Sequence, residues 1–158
     1  MRVKTELTEQ PPVFIVDRMQ DQAAITFYTD AEQQQRDDGE TVWTATAWTI
    51  VRTWADNLAD RVAADPEAWF AAASAECYEI AAAEARKLRD ALLQASDAEM
   101  AIDRLGLVAP SGTTFTAWLS FLRGFGDVLT GKVAIYRQAL RDIPQQAGFP
   151  YDVQWPEK

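Results

Sequence analysis

The chain reads as an α+β protein: a small N-terminal antiparallel β-sheet, then a long helical hairpin, then an extended C-terminal tail. Three observations lead there. Runs of β-branched and aromatic residues cluster in the first third, at 13–16, 24–29 and 41–54. From Asp65 onward apolar residues recur at steps of three and four over two long stretches. Pro144 then ends the second stretch, and an aromatic, proline-punctuated segment follows it.

Residues 1–12 are polar and end in Pro11 and Pro12, which predicts a short mobile or extended lead-in with order beginning near Val13. Val13, Phe14, Ile15 and Val16 form one strand and the run 24–29 its partner, separated by the polar residues 17–22. A polar loop through Gln33, Gln34 and Gln35 reaches the turn pair Asp38 and Gly39, which supplies positive φ at low cost. A third strand follows from Thr41. Its alternation places Trp43 and Trp48 on opposite faces, so one is expected to be less buried than the other, and the pattern suits a sheet with helices on one face only.

Asp56 and Asn57 offer a cap for a short helix over 58–64. Asp65, Pro66 and Glu67 make a stronger start: an aspartate N-cap, proline at the first helical position, and an acid near the positive end of the helix dipole. The stripe of the helix that follows runs through Trp69, Ala73, Cys77, Ile80, Leu88 and Leu92. Ser96 and Glu99 fit a capping box, predicting that two helices meet near Ser96 and that the second spans 97–105 with Gly106 as its stop. A last helix is predicted from 111–113 to Ile143, with Phe115, Trp118, Leu122, Phe125, Leu129, Val133, Tyr136, Leu140 and Ile143 on one stripe. Taken over 113–143 it would be about 46 Å long, more than a compact domain this size needs, so it protrudes, pairs or breaks. Gly124, Gly126 and Gly131 are its weak points. Trp69 and Trp118, both on apolar stripes, are expected in the core. By element type the chain divides into 1–56, 57–143 and 144–158, packed as one compact unit.

Composition narrows the chemistry. With 158 residues and 48% apolar content the chain supports one modest core without covalent staples. Cys77 is the only cysteine and sits on an apolar stripe, which predicts a buried, inert thiol and no intrachain disulfide. Neither a signal peptide nor an apolar run of about 18 residues is legible, so no membrane partner is expected. A net charge of −9 opposes nucleic-acid phosphates. Histidine is absent, removing the commonest general base and metal ligand. Residues 126–132, from Gly126 to Gly131 and Lys132, fit the first seven positions of a phosphate-binding P-loop. Val133 then stands where a magnesium-binding hydroxyl belongs, and the preceding residues are helical in pattern, so helix-interior glycines are the better reading. No enzyme, no cofactor and no metal are expected.

The C-terminal stretch 136–156 reads YRQALRDIPQQAGFPYDVQWP. Pro144 lacks an N–H and is expected to hold Ile143 extended; Phe149, Tyr151, Val153, Trp155 and Pro156 then need something to bury them. Upstream, Arg89, Asp90, Ala91, Leu92 and Leu93 precede Ser96 and Asp97. These two blocks, about a fifth of the chain, resemble the ending of phage tail and tail-fibre assembly chaperones: a tyrosine-arginine helix, an LRDIP stop, a GFP turn and a final WP. The resemblance implies a tail-fibre assembly chaperone that binds and shields the fibre protein during folding, trimerisation and attachment. It would act in the host cytoplasm, with or without retention in the virion, and homo-oligomerisation stays open.

On that reading the partner-binding residues are Tyr136, Arg137, Arg141, Asp142, Phe149, Tyr151, Trp155 and Pro156. The charged residues would form a rim around an apolar centre of Phe149 and Trp155. Arg137 and Arg141, one turn apart, equally suit simple compensation of the helix dipole, and Trp155 either folds back on its own domain or anchors on a partner. Two other readings fit the same residues: a structural adaptor at the fibre tip or baseplate, and a small acidic inhibitor of a host defence protein.

Overall fold

The computed structural model describes residues 1–37, 39–97, 109–112 and 114–158. An N-terminal four-stranded antiparallel sheet is followed by a long helix and further helices, an α+β architecture. The elements are β1 (Arg2–Leu7), β2 (Phe14–Met19), β3 (Gln22–Gln35), β4 (Thr41–Thr53), α1 (Leu58–Ala64), α2 (Pro66–Asp97), α3 (Phe115–Thr130) and α4 (Lys132–Asp142), with a 3-10 turn at Ile143–Gln145. The chain forms two compact units, Met1–Ala81 and Ala82–Lys158, with the division falling inside α2.

In the first unit the strand order is β1-β4-β3-β2, with the long β3–β4 hairpin at its centre. Phe14 pairs with Phe27, and Phe27 with Trp48, so one face collects aromatic side chains across three strands. Alternation puts Ala23, Ile25 and Phe27 of β3 beside Ile50 of β4 on that face. Leu58 and Val62 of α1 and Ala73 and Cys77 of α2 complete the buried cluster, with Trp48, Trp69 and Phe70 packed against it. Phe27 and Trp48 both meet the Phe70 ring at 5.8 Å between centroids, tilted and edge-on respectively, the arrangements aromatic quadrupoles favour. On the sheet's other face Thr26 and Thr49 share a 2.9 Å hydroxyl hydrogen bond. Cys77 is buried, as expected, with its thiol 3.6 Å from the Thr49 carbonyl.

Two expectations fail here for the same reason. Residues 2–7 are not a lead-in but an edge strand, registered from Arg2 opposite Trp48 to Leu7 opposite Trp43. Residues 30–35 are not a loop: β3 crosses a bulge, where Asp30 at φ 54° and Ala31 oppose one residue of β4, and continues to Gln35. Both segments are polar because they are exposed edge or arm, and a strand bonded through its backbone tolerates charged side chains there. Gly39 takes φ +86° in the hairpin connection; Asp38 lies outside the described residues. Trp43 and Trp48 are both half-buried, so the expected contrast between them is absent.

The helix starts follow the sequence closely. Asp65 accepts a 3.1 Å hydrogen bond from the Ala68 N–H, the N-cap its position predicts, and α1 occupies 58–64 as expected. The buried stripe of α2 departs from expectation: Ala73, Cys77, Ala82, Ala85 and Ser96 are buried, while Ile80 and Leu88 are exposed. The smallest side chains occupy the buried line because they let neighbouring elements come close. Ser96 is no helix start. It sits in the last turn of α2, and its hydroxyl donates to the Leu93 carbonyl at 2.7 Å. The rest of the helix expected over 97–105 lies outside the described residues, as does the Leu129 side chain.

In the second unit the long C-terminal stripe breaks at Gly131, which closes α3 and opens α4 with extended backbone (φ −68°, ψ 168°). The P-loop-like residues therefore straddle a helix-to-helix junction with no strand before them. Leu140 and Ile143 are fully buried. Ile143 is in the right-handed helical region (φ −48°, ψ −46°), contrary to the extended conformation expected before proline. The backbone tightens into a 3-10 turn through Pro144, and burying the Ile143 side chain outweighs the local preference. Trp118, expected in the core, is exposed, and so are Phe115, Leu122 and Phe125 on the same helix.

Candidate functional site

The C-terminal segment folds back in a chain of tight turns. Phe149 N–H donates to the Gln146 carbonyl, and Tyr151 and Asp152 N–H both donate to the Gly148 carbonyl. No side chain fits at Gly148: a Cβ there would collide with the Asp152 carbonyl. The Gln146 side chain then closes the loop from both ends, its amide donating to the Gln154 carbonyl at 2.9 Å and its oxygen accepting the Gln154 N–H at 2.8 Å. One side-chain amide thus satisfies both backbone groups of a residue eight positions away, which a β-pairing would otherwise do.

Of the residues singled out from the sequence, Arg137 is the most constrained. Its side chain is 14% exposed. Its Nη1 donates to the Leu93 carbonyl at 3.0 Å and to the Ser96 hydroxyl at 2.5 Å, and lies 2.7 Å from an Asp97 carboxylate oxygen. The last turn of α2 has no basic residue of its own, so Arg137 brings a positive charge from α4 to that turn, where the helix dipole is negative. It compensates a dipole as one reading expected, but that of α2. Arg141 is exposed on the same helix, and Asp142 accepts a 3.0 Å hydrogen bond from the Gln138 amide. Tyr136, Phe149, Tyr151 and Pro156 are half-buried, and the Arg86 guanidinium stands 5.5 Å over the Phe149 ring. Trp155, just past the Gln146–Gln154 closure, is 36% exposed.

A second feature includes Trp118, which the sequence assigned to the core. On α3, Phe115 (78%), Trp118 (43%), Leu122 (59%) and Phe125 (41%) are exposed at spacings of three, four and three. The Trp118 indole N–H donates to the Gly112 carbonyl at 2.9 Å, fixing the ring, which meets Phe121 edge-on at 6.0 Å. Phe121 stacks on Phe125 at 6.4 Å. The available signal was charge: Arg123 and Asp127 are the only ionic residues in the 16 positions of α3, and a helix apolar around most of its circumference expects burial on several sides.

Titration adds one perturbed group. The Arg52 guanidinium hydrogen-bonds Glu76 at 2.6 Å and, against a smaller opposing cost of burial, holds its carboxyl below the ordinary 4.5. This pair ties β4 to α2 and lies in the first unit. Among the described residues no group of three or more histidine, cysteine, aspartate or glutamate side chains is placed to hold a metal ion. No helix among them is long and apolar enough to cross a membrane.

No curated protein and no solved structure matches the chain. Residues 82–158 match the family described as phage tail assembly chaperone protein. The matched span coincides with the second compact unit and contains the α3 face, the Arg137 contacts and the C-terminal fold-back. Over these residues, just under half of the chain, the protein is similar to the phage tail assembly chaperone proteins of bacteriophages.

Proposed function

We propose that the chain is a tail-fibre assembly chaperone that works by stoichiometric masking, without turnover. The likeness of residues 82–158 to the chaperone family supports binding to phage tail proteins. The observation that carries the masking step is the apolar face of α3: four large side chains left accessible to water within the matched unit. Soluble monomers rarely leave a contiguous apolar surface of this kind without a partner for it. On this reading the face covers apolar surface of the fibre protein in the host cytoplasm until the fibre trimerises and mounts on the tail. Trp155 and Arg141, accessible beside the fold-back, supply a second contact, with Tyr136, Phe149, Tyr151 and Pro156 shaping its support. Arg137 and Asp142 complete the rim of that contact through their neighbours.

Co-expression of the fibre gene with and without this chain tests the proposal. Higher soluble yield of trimeric fibre and co-purification of the two chains are expected. Unchanged fibre solubility together with no co-purification would remove the fibre as the partner.

A further inference from the structure

We propose that α3 and α4 are the two halves of one hinged helix. Rotation about a single backbone torsion at Gly131 closes them into a continuous helix over 115–142 and swings the exposed side chains of α3 onto the side on which α4 is buried. Thr130 is the last residue of α3 and Lys132 the first of α4, so one residue alone interrupts the helical run. Its φ of −68° is already that of an α-helix; only ψ, at 168° instead of about −42°, breaks the run. Glycine has no Cβ to obstruct the passage between these two values.

The apolar pattern keeps its phase across the break. Phe115 and Val133, Trp118 and Tyr136, Leu122 and Leu140, and Phe125 and Ile143 are each 18 residues apart, which is five turns of 3.6 residues. Two independent helices have no reason to keep that phase, whereas a continuous helix sets all of these side chains on one side. Leu140 and Ile143 are fully buried, and Val133 and Tyr136 half-buried, so closure aligns the α3 residues with the packed side of α4. The break also puts charges at unfavourable ends. Asp127 stands in the last turn of α3, near the negative pole of its dipole, and Lys132 in the first turn of α4, at the positive pole. Gly131 has no side chain with which to cap α4. In the continuous helix both charges lie in the interior, away from either pole. The low helix propensity of glycine acts the other way, so bent and closed forms are separated by opposing contributions of similar size.

Double electron–electron resonance on the full chain reads the hinge, with spin labels at the exposed positions Thr116→Cys and Gln138→Cys and the buried Cys77 left in place. Gln138 follows Thr116 by 22 residues, which spans about 33 Å along the axis of a continuous helix, and a bend at Gly131 shortens it. Gly131→Ala should raise the ratio of this longer distance to the shorter one about fivefold, because alanine favours the helix interior. Lys132→Pro should remove the longer distance, since proline suits the first position of α4 and keeps the preceding residue extended. Lys132→Glu, an acid at the start of α4, should lower the ratio about two- to fivefold. The same distance distribution in the natural chain, Gly131→Ala and Lys132→Pro overturns the proposal, and so does a longer distance that survives Lys132→Pro. If Gly131→Ala does not fold, Lys132→Glu and Lys132→Pro decide alone, and distributions equal to that of the natural chain overturn the hinge. The measurement needs no tail protein, so its outcome is separate from the chaperone reading.

Discussion

Arg137 shows how one side chain can serve as a joint. Three groups of the α2 terminus face a guanidinium that is mostly removed from solvent, so deleting it leaves a carbonyl, a hydroxyl and a carboxylate to find water. Arg137→Ala should cost about 1.5–3 kcal/mol in urea unfolding, the range of hydrogen bonds to charged groups. Arg141→Ala, at an exposed position four residues on, should stay within about 0.5 kcal/mol. Equal effects from the two would mean that the Arg137 contacts do not hold the unit together. Glu76 offers a test by pH. Because Arg52 lowers its native pKa, the pair's stabilisation is present above the ordinary 4.5 and is lost as pH falls through the lower native value. Both side chains are partly open to water, so Glu76→Gln should cost only about 0.2–1 kcal/mol at neutral pH. That gap from the natural chain should close in acid, and denaturant titrations at neutral and acid pH measure it.

Among the elements, the C-terminal turn is the one whose shape rests on a single missing atom. Gly148→Ala would force a methyl group into the Asp152 carbonyl, backbone that cannot swing aside as a side-chain tip can. A loss of about 1–3 kcal/mol is expected, read as a lowered midpoint of thermal unfolding. Unchanged stability would show that the Gln146–Gln154 closure does not hold the turn in this form. At this scale much was legible. The Asp65 cap, the 58–64 helix and the weakness at Gly131 follow from residues within a turn of one another. β1 was not, since Arg2, Lys4 and Glu6 become strand only through pairing with residues near 46. The second half of β3 was hidden by its glutamines, because an exposed hairpin arm needs no apolar alternation.

The whole molecule divides its charge as it divides its structure. Met1–Ala81 holds fifteen acidic and six basic residues, and Ala82–Lys158 holds nine of each. All of the net −9 therefore belongs to the sheet-bearing unit, outside the family match, while the matched unit is formally neutral and bears the exposed apolar face. A neutral surface suits contact with an apolar segment, and a strongly acidic companion on the same chain favours solubility.

By itself the sequence determined the starts of α1 and α2, the weak point at Gly131, the chaperone likeness of the C-terminal half and the lack of histidine chemistry, because these depend on residue identity and near neighbours. Only the tertiary structure decided which apolar stripe is buried. Phe27 and Trp118 are both large aromatics in well-patterned segments, yet Phe27 is sealed by strands and a helix brought from up to about fifty residues away, while Trp118 stays exposed. It also decided that Arg137 meets Leu93, 44 residues upstream, since a long side chain pairs with whatever folding places within its reach. Periodicity marks a face as apolar; the contacts of the folded chain determine whether that face becomes core or remains open to a partner.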